Sequence, residues 1–506
     1  MSPSLPRPTP VALLGVGVGV PALRLAARDV GAVWGAGGGR QSVALCDADE
    51  DTLTLAWEAA TAALAAAGIP SGEVAGLWWG TARPPFAEGP SHAFLATALG
   101  LSDDVVGGLN SGSTHAAMEA LSAAWDAVAA GHAAPVLVVG SDALVPGLGT
   151  AGEATTGAGA VAWVLGPVQA ASNGSGPAAR LVARADGHLA VVDRYRGDHQ
   201  DATGDVYDGR LFREEVFLPL VARVGAAAAE GSGASGADAP VSGWAVADLD
   251  GKLAAAAARA LGGPLVSGPV TEALGNTGAA APLLGAVPGL AEPGALGVVG
   301  YGGGRASALR VEVARPVPGA TEALGRLGVG RAVGYTEAIK ARGQLSAMVD
   351  PVPMGVPPGS AAFVRGAVEM LGLRGGRCPD CGTISTPPTI HPRCPACGGA
   401  PLALVQLARR GRVETFVVNQ TMPPPFQAPL PLVVLDLDDG ARLMLQGTPA
   451  DAEALGIGDE VELRLRLYAV ERHVPVYGYK AFRVAAEEAP EQGGERESSS
   501  SRTGAP

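Results

Sequence analysis

The sequence predicts an α/β body made of two similar layered halves, followed by a small all-β module consisting of a zinc ribbon and an OB-type barrel. Three observations predict it. An Ala-rich helix leading into a short apolar strand occurs twice in the same order, the body's strands are apolar runs without alternation, and the last third places paired cysteines ahead of alternating strands. Runs that lack a period of two are buried on both faces, so each half is a sheet covered by helices and the two together make αβαβα layers. A length of 506 residues exceeds what one core fills, in keeping with two or more folding units.

The elements follow in order. "VALLGVGVGV" after Arg7 has the outline of a secretory apolar region, but Gly15, Gly17, Gly19 and Pro21 suit a first strand entering a turn. No later run reaches the ~18 apolar residues that span a bilayer, so no membrane partner is expected. "DTLTLAWEAATAALAAAGIPSGEVAGLWWG" (51–80) is a helix capped by Asp51 or Thr52 and then a strand; "LFREEVFLPLVARVGAAAAEG" and "PVSGWAVA" repeat that order within 211–247. The helix 114–130 with strands "PVLVVGSDAL" and "GAGAVAWVLG" is echoed by the helix after Asn276 with "GALGVVGYGGG" and "ASALRVEV". The halves run from about 11 to 166 and 178 to 313, and the body ends near 315.

Charge and cysteine usage narrow the function. The chain carries a formal charge of −13, and residues 1–315 hold 17 basic against 29 acidic side chains, whereas 371–485 hold 12 against 11. Phosphate binding requires an excess of Lys and Arg, so a general nucleic-acid binder is disfavoured. Four of five cysteines are clustered, which fits a reducing, cytoplasmic compartment and metal binding. Cys46 reads as a small apolar filler or a surface thiol.

The stretches "VGVPALRL", "DADEDTLTLAWEAATAAL", "GSDAL", "TTGAGAVAWVLG", "LGNTGAAAPLLG" and "VVGYGGG", in this order, resemble the thiolase superfamily, nearest to 3-hydroxy-3-methylglutaryl-CoA synthase and ketoacyl synthase III. The resemblance implies dimerisation, a coenzyme A thioester ligand, and a Cys at the N-terminus of a buried helix, where the helix dipole stabilises a thiolate. Laid on the family's pattern, "LNSGST" puts Asn110 at the Cys position and Thr114 at the Thr; an amide nitrogen is not a nucleophile. Asn110 is otherwise simply a helix cap. Ser111 lies next to it and needs a base. The family's His falls on Ala247, its Pro on Leu249 and its Lys, a CoA contact, on Lys252; its acid/base Glu falls on Ala82. Asn276 keeps the oxyanion-type donor. His115, a turn into the helix, and His92 read as structural or surface residues.

Beyond 315 the composition changes. Pro-rich connectors around a helical piece at 335–348 make a linker over 316–370, and "CPDCGTISTPPTIHPRCPACGG" opens a zinc ribbon over 371–400. Cys378, Cys381, Cys394 and Cys397 form two Cys-x2-Cys turns, with Gly382 and Gly398 giving the backbone freedom that lets all four sulfurs face one ion. The shell is closed, so zinc would be structural; a disulfide pairing is the alternative, and His391 is a spare ligand. Alternation at Val461, Leu463, Leu465 and Leu467, with the "DDG" turn, predicts a barrel of about five strands over 401–485. Ribbon plus barrel resembles the acyl-CoA-associated family that accompanies thiolase-like enzymes. Residues 486–506 are polar and read as a disordered tail.

The expected function is therefore an acyl-CoA-handling protein, a catalytically degenerate subunit that forms a homodimer or pairs with an active thiolase-like enzyme. The enzyme alternatives are acyl transfer by substituted residues, or retro-aldol cleavage with Asp248, Asp250 or His115 as base. Single-stranded nucleic acid on the barrel is the remaining alternative.

Overall fold

The computed structural model describes residues 8–35, 41–171, 176–197, 199–200, 202–204, 208–231, 240–249, 252–345, 366, 369–388, 391, 393–399, 401–422, 428–471 and 474–484. Asp250 and the 486–506 tail therefore lie outside the described residues.

The body's strands are β1 (Val11–Gly19), β2 (Gly76–Gly80), β3 (Val106–Asn110), β4 (Val136–Ala143), β5 (Ala158–Pro167), β6 (Ala179–His188), β7 (Gly243–Val246), β8 (Gly294–Gly302) and β9 (Arg305–Val313). Its main helices are α1 (Thr52–Ala67), α2 (Ser91–Leu99), α3 (Ala116–Ala129), α4 (Leu218–Glu230), α5 (Leu253–Ala260), α6 (Ala281–Gly285) and α7 (Val287–Leu290). Among the described residues they form one nine-stranded sheet in the order β3-β2-β4-β5-β1-β6-β9-β8-β7. The sequence predicts two separate sheets. They are joined because β1 pairs with β6 through Val11–Leu181, Ala12–Arg180 and Leu13–Ala179.

Layering follows from which faces are apolar. One core cluster unites α3, α6 and α7 with strands of both halves, from Val136, Val161 and Trp163 to Val298, Leu309 and Val311, so these helices fill the middle layer. α1 and α2 cover the outside of the first half, and α4 and α5 that of the second. The glycines of β1 now have a reason. A Cβ on Gly17 would lie 2.3 Å from the Ala63 nitrogen and one on Gly19 2.2 Å from the Leu55 oxygen, so the Ala-rich helix α1 presses directly on a strand without side chains. Asp51 caps α1, accepting from the Leu53 and Thr54 N–H groups at 3.0 and 2.9 Å, while the Thr54 hydroxyl accepts from the Asp51 N–H.

The segment read as a linker is packed on the body as far as 345: Val317, Ala320, Ala323 and Leu327 enter the main core, and Arg331–Val333 pairs with Leu23–Leu25. In the ribbon, Arg374–Arg377 lies between Ile384–Ser385 and Ala403–Gln406. That last strand, assigned by sequence to the barrel, belongs to the ribbon's sheet. The barrel proper comprises β10 (Arg410–Asn419), β11 (Leu430–Leu437), β12 (Arg442–Gln446), β13 (Glu460–Glu471) and β14 (Val474–Arg483), ordered β12-β11-β10-β13-β14. A Gly447–Ala481 bridge nearly closes it.

The barrel sits on α1 and α2, sharing one core with them. Tyr479 meets the Trp57 ring edge-on at 5.8 Å and donates to the Ala98 carbonyl at 3.2 Å. Lys480 pairs with Asp49 at 2.7 Å, and Arg466 with Glu58 at 2.8 Å and Glu50 at 3.5 Å. A cleft of ≈ 930 Å³ opens beside this seam, between Asp47–Glu50, Arg331 and Lys340 on the body and Arg464, Lys480 and Phe482 on the barrel.

Candidate functional site

The ends of β2, β3 and β4 and the turn after Asn276 converge on one carboxylate, Asp142. It accepts from the Thr81 hydroxyl at 2.7 Å and from the N–H groups of Ala82, Arg83 and Ala279 at 2.9, 3.1 and 2.6 Å. Gly278 is positioned so that a Cβ would meet the Asp142 carboxylate at 2.3 Å, which explains the small residue there. Burial pushes Asp142 up to about 6, and its four N–H and O–H donors pull it back only in part. The Thr81 N–H donates to the Asn110 carbonyl at 3.1 Å, which brings the Ala82 and Asn110 strand ends side by side. Asn276 is buried; its Oδ1 accepts from the Gly278 N–H at 3.0 Å and its Nδ2 reaches the Leu249 carbonyl at 3.5 Å. Ala247 donates its N–H to the Val299 carbonyl. The structure thus brings Ala82 and Asn110 side by side and places Asn276 two residues from the Gly278–Ala279 turn that closes on Asp142, while no contact ties Ala247 to that carboxylate and Lys252 is exposed.

The chemistry that this locus can perform is limited by its neighbours. Ser111 is exposed, in a turn where Gly112 has φ +100°, and helix α3 begins only at Ala116. His115 is buried at 1% exposure and faces inward: Nε2 contacts the Ser307 hydroxyl at 2.7 Å and Nδ1 the Glu119 carboxylate at 3.4 Å. Ser307 in turn donates to Asp186 at 2.5 Å. His115 therefore clamps α3 to β9 and β6. His92 likewise contacts the Leu77 carbonyl, and Cys46 is packed against the core shared with the barrel, where burial followed by the charges of Glu50 and Asp51 drives its thiol well up. Asp248 is buried.

Two groups at the locus escape sequence reading. Asp142 stands at the end of an apolar strand, "VLVVGSD", and a carboxylate in a run buried on both faces is the signal that would have singled it out. Tyr301 is buried and donates to Asp193 at 2.7 Å; burial, then the Asp193 carboxylate, push the phenol well up. Its backbone carbonyl accepts from the Thr114 hydroxyl at 3.0 Å, which fixes it beside the Asn110 turn. Nothing in the sequence links 193 with 301.

In the ribbon the four cysteine sulfurs lie within 4.8 Å of one another. Cys378–Cys397 and Cys381–Cys394 are 3.7 and 3.5 Å apart, too long for S–S bonds near 2.05 Å and close to the edge of a tetrahedron around an ion with ~2.3 Å metal–sulfur bonds. Gly382 and Gly398, at φ +76° and +69°, close the two turns by donating to the Cys378 and Cys394 carbonyls. Cys378 and Cys394 are buried and Cys381 and Cys397 exposed, so the cluster has one face toward solvent.

The chain aligns with the structure of MvaS in complex with 3-hydroxy-3-methylglutaryl coenzyme A at a TM-score of 0.57 and 20% identity, covering 69% of this chain and 95% of that one. The 3-oxoacyl-(acyl carrier protein) synthase III, FabH, of Pseudomonas aeruginosa PAO1 aligns at 0.52 and 22%, covering 61% and 100%. The body has the thiolase-like fold. In sequence, the thiolase-like body is similar to the hydroxymethylglutaryl-CoA synthase of Thermococcus sibiricus, 34% identical over 157 residues, which is 31% of this chain and 45% of that relative. The chain thus spans less than half the length of the curated relatives it matches first. Residues 404–466 match the family model described as the C-terminal OB-fold domain of ChsH2. Among the described residues, no helix is long and apolar enough to cross a membrane.

Proposed function

We propose that this chain is an acyl-CoA-handling member of a thiolase-type assembly whose body does not perform acyl transfer by the Cys–His–Glu route. One observation carries the reading. The position aligned with the family's Cys is Asn110 and that aligned with its Glu is Ala82, side by side at the strand ends beside Asp142, and the position aligned with its His is Ala247, which supports a body without the usual nucleophile–base pair. Ser111 does not replace them, because both ring nitrogens of His115 face Glu119 and Ser307. Similarity to hydroxymethylglutaryl-CoA synthases, and to a structure holding 3-hydroxy-3-methylglutaryl coenzyme A, supports a CoA thioester as the ligand, with Lys252 at the rim of its site. Lipid or related thioester metabolism in the cytoplasm is the setting this suits. Incubation with acetyl-CoA followed by intact-mass measurement should leave the chain without an acetyl adduct; a stable adduct on Ser111 overturns the reading.

The partner is a second copy of the chain or a catalytically complete thiolase-like subunit. β3 supports this, since it is the edge of the sheet and Val106 is 48% exposed there. Copurification with an active enzyme supports pairing, whereas a homodimer that turns over acyl-CoA alone contradicts it. A second reading, retro-aldol cleavage of a β-hydroxyacyl thioester, is favoured by the Tyr301–Asp193 pair, an acid/base couple that needs no acyl-enzyme. Release of a shorter thioester and a carbonyl compound, lost in Tyr301→Phe, distinguishes it.

The ribbon holds structural zinc in this proposal, with Cys378, Cys381, Cys394 and Cys397 as thiolate ligands. Elemental analysis should give about one zinc per chain. Cys378→Ser with Cys394→Ser should lose it and melt the ribbon in a separate, earlier transition, leaving the body's secondary structure by circular dichroism within a few per cent of wild type.

A further inference from the structure

We infer that the barrel supports the body's site loop through a ladder of aromatic rings, with Tyr477 as the positioning residue. The loop is Thr81–Pro90. Its first end is fixed, because Asp142 accepts from the Ala82 and Arg83 N–H groups. Its far end is exposed from Ala87 to Pro90 before α2 begins at Ser91. Between them Phe86 is the loop's large apolar anchor. Its ring stands edge-on to Phe94 of α2, centroids 5.4 Å apart at 84°, and Phe94 stands edge-on to Tyr477 of β14 at 6.4 Å and 83°. Such perpendicular contacts place a ring's positive edge on its neighbour's negative face, so each ring restricts the next.

Tyr477 is held from behind. It is 3% exposed, and its hydroxyl donates to the Asp51 carboxylate at 2.5 Å, the same residue that caps α1. A barrel residue more than 400 positions along the chain is thereby locked to the body's frame, with its ring perpendicular to that of Phe94. The loop it supports carries Ala82, at the locus where the strand ends meet. The barrel is then a wall of the site's frame rather than an appendage. The inference rests on this packing alone and not on whether acyl transfer occurs, so it can fail while the proposed function stands, and the reverse.

Hydrogen–deuterium exchange of the full chain tests it. Tyr477→Leu keeps apolar bulk but removes the ring; amides of Phe86–Gly89 should then exchange about 3- to 10-fold faster. Tyr477→Phe keeps the ring and loses only the bond to Asp51, and should quicken exchange in the loop clearly less than Tyr477→Leu does. Phe94→Leu breaks the middle rung from within the body and should reproduce Tyr477→Leu, which decides the matter if the barrel variant loosens the whole seam. Unchanged loop exchange in Phe94→Leu, or equal acceleration in Tyr477→Phe and Tyr477→Leu, overturns the inference.

Discussion

Replacing Arg466 with alanine should cost about 3–5 kcal/mol and loosen the barrel from the body. The guanidinium is 4% exposed and lies between two carboxylates of the body, Glu58 at 2.8 Å and Glu50 at 3.5 Å, themselves 6% and 3% exposed. It also stacks on Phe482 at 4.6 Å. Burial alone would raise Glu58, but Arg466, aided by Arg464 and Arg326, holds it below the usual carboxylate range; deleting the cation leaves two desolvated acids facing each other. The loss comes mainly from the stranded acids rather than from the pair's own attraction. Arg466→Met combined with Glu58→Gln and Glu50→Gln should therefore recover most of the stability that the single change removes. Thermal unfolding of wild type and the two variants, read by tryptophan fluorescence because Trp57 lies under Tyr479 in the seam, checks both results. A triple variant no better than Arg466→Ala would show that specific charge pairing, not desolvation, dominates the seam.

This seam also marks where sequence reading stops. Alternation in "VELRLRLY" correctly places Val461, Leu463 and Leu465 inside the barrel, at 0–1% exposure. It equally predicts that Arg466, on the other face, meets water. In the fold that face is covered by α1, and the covering residues come from a segment some 400 positions earlier, a pairing that no local period encodes. The Gly-rich β1, the Asp51 cap and the cysteine turns were legible because each depends on residues within one turn or one strand. The locus was half legible. Asn110 and Ala82 lie at or just after strand ends, where a short motif gives a position to compare, but Asp142 and the Tyr301–Asp193 bond are tertiary. Their sequence trace is only a polar residue where an apolar one is cheaper. The packing of 317–341 was masked by its prolines and glycines, which mark turns but do not reveal whether the short elements between them find a core.

Stability should rise on acidification from pH 8 to about pH 5.5, the reverse of what buried ion pairs alone would give. Burial is the largest influence on Glu50 and raises it to about 7 despite the pull of Arg466, and it raises Asp142 to about 6. Asp51 and Asp47 are raised as well, again by burial first. A carboxyl whose folded value exceeds its unfolded value binds more protons when folded, so its contribution is greatest at low pH and is lost as the pH climbs through the folded value. That window runs from about pH 4.5 to 7 for Glu50 and from about pH 4 to 6 for Asp142. Each shift corresponds to at most about 3 kcal/mol, and the acidic body's self-repulsion adds to the same slope. Glu58 opposes it, being lowered, but its contribution disappears only below the ordinary glutamate range near 4.5, so the optimum should fall near pH 5. Glu50→Gln should flatten the slope above pH 6.5, and Asp142→Asn should flatten it nearer pH 6 while also releasing the Ala82–Arg83 loop. Melting temperatures across pH 5 to 8 test the sign directly. A melting temperature that increases steadily toward pH 8 would mean that Arg466 keeps Glu50 ionised and that the seam is held by charge pairing in full.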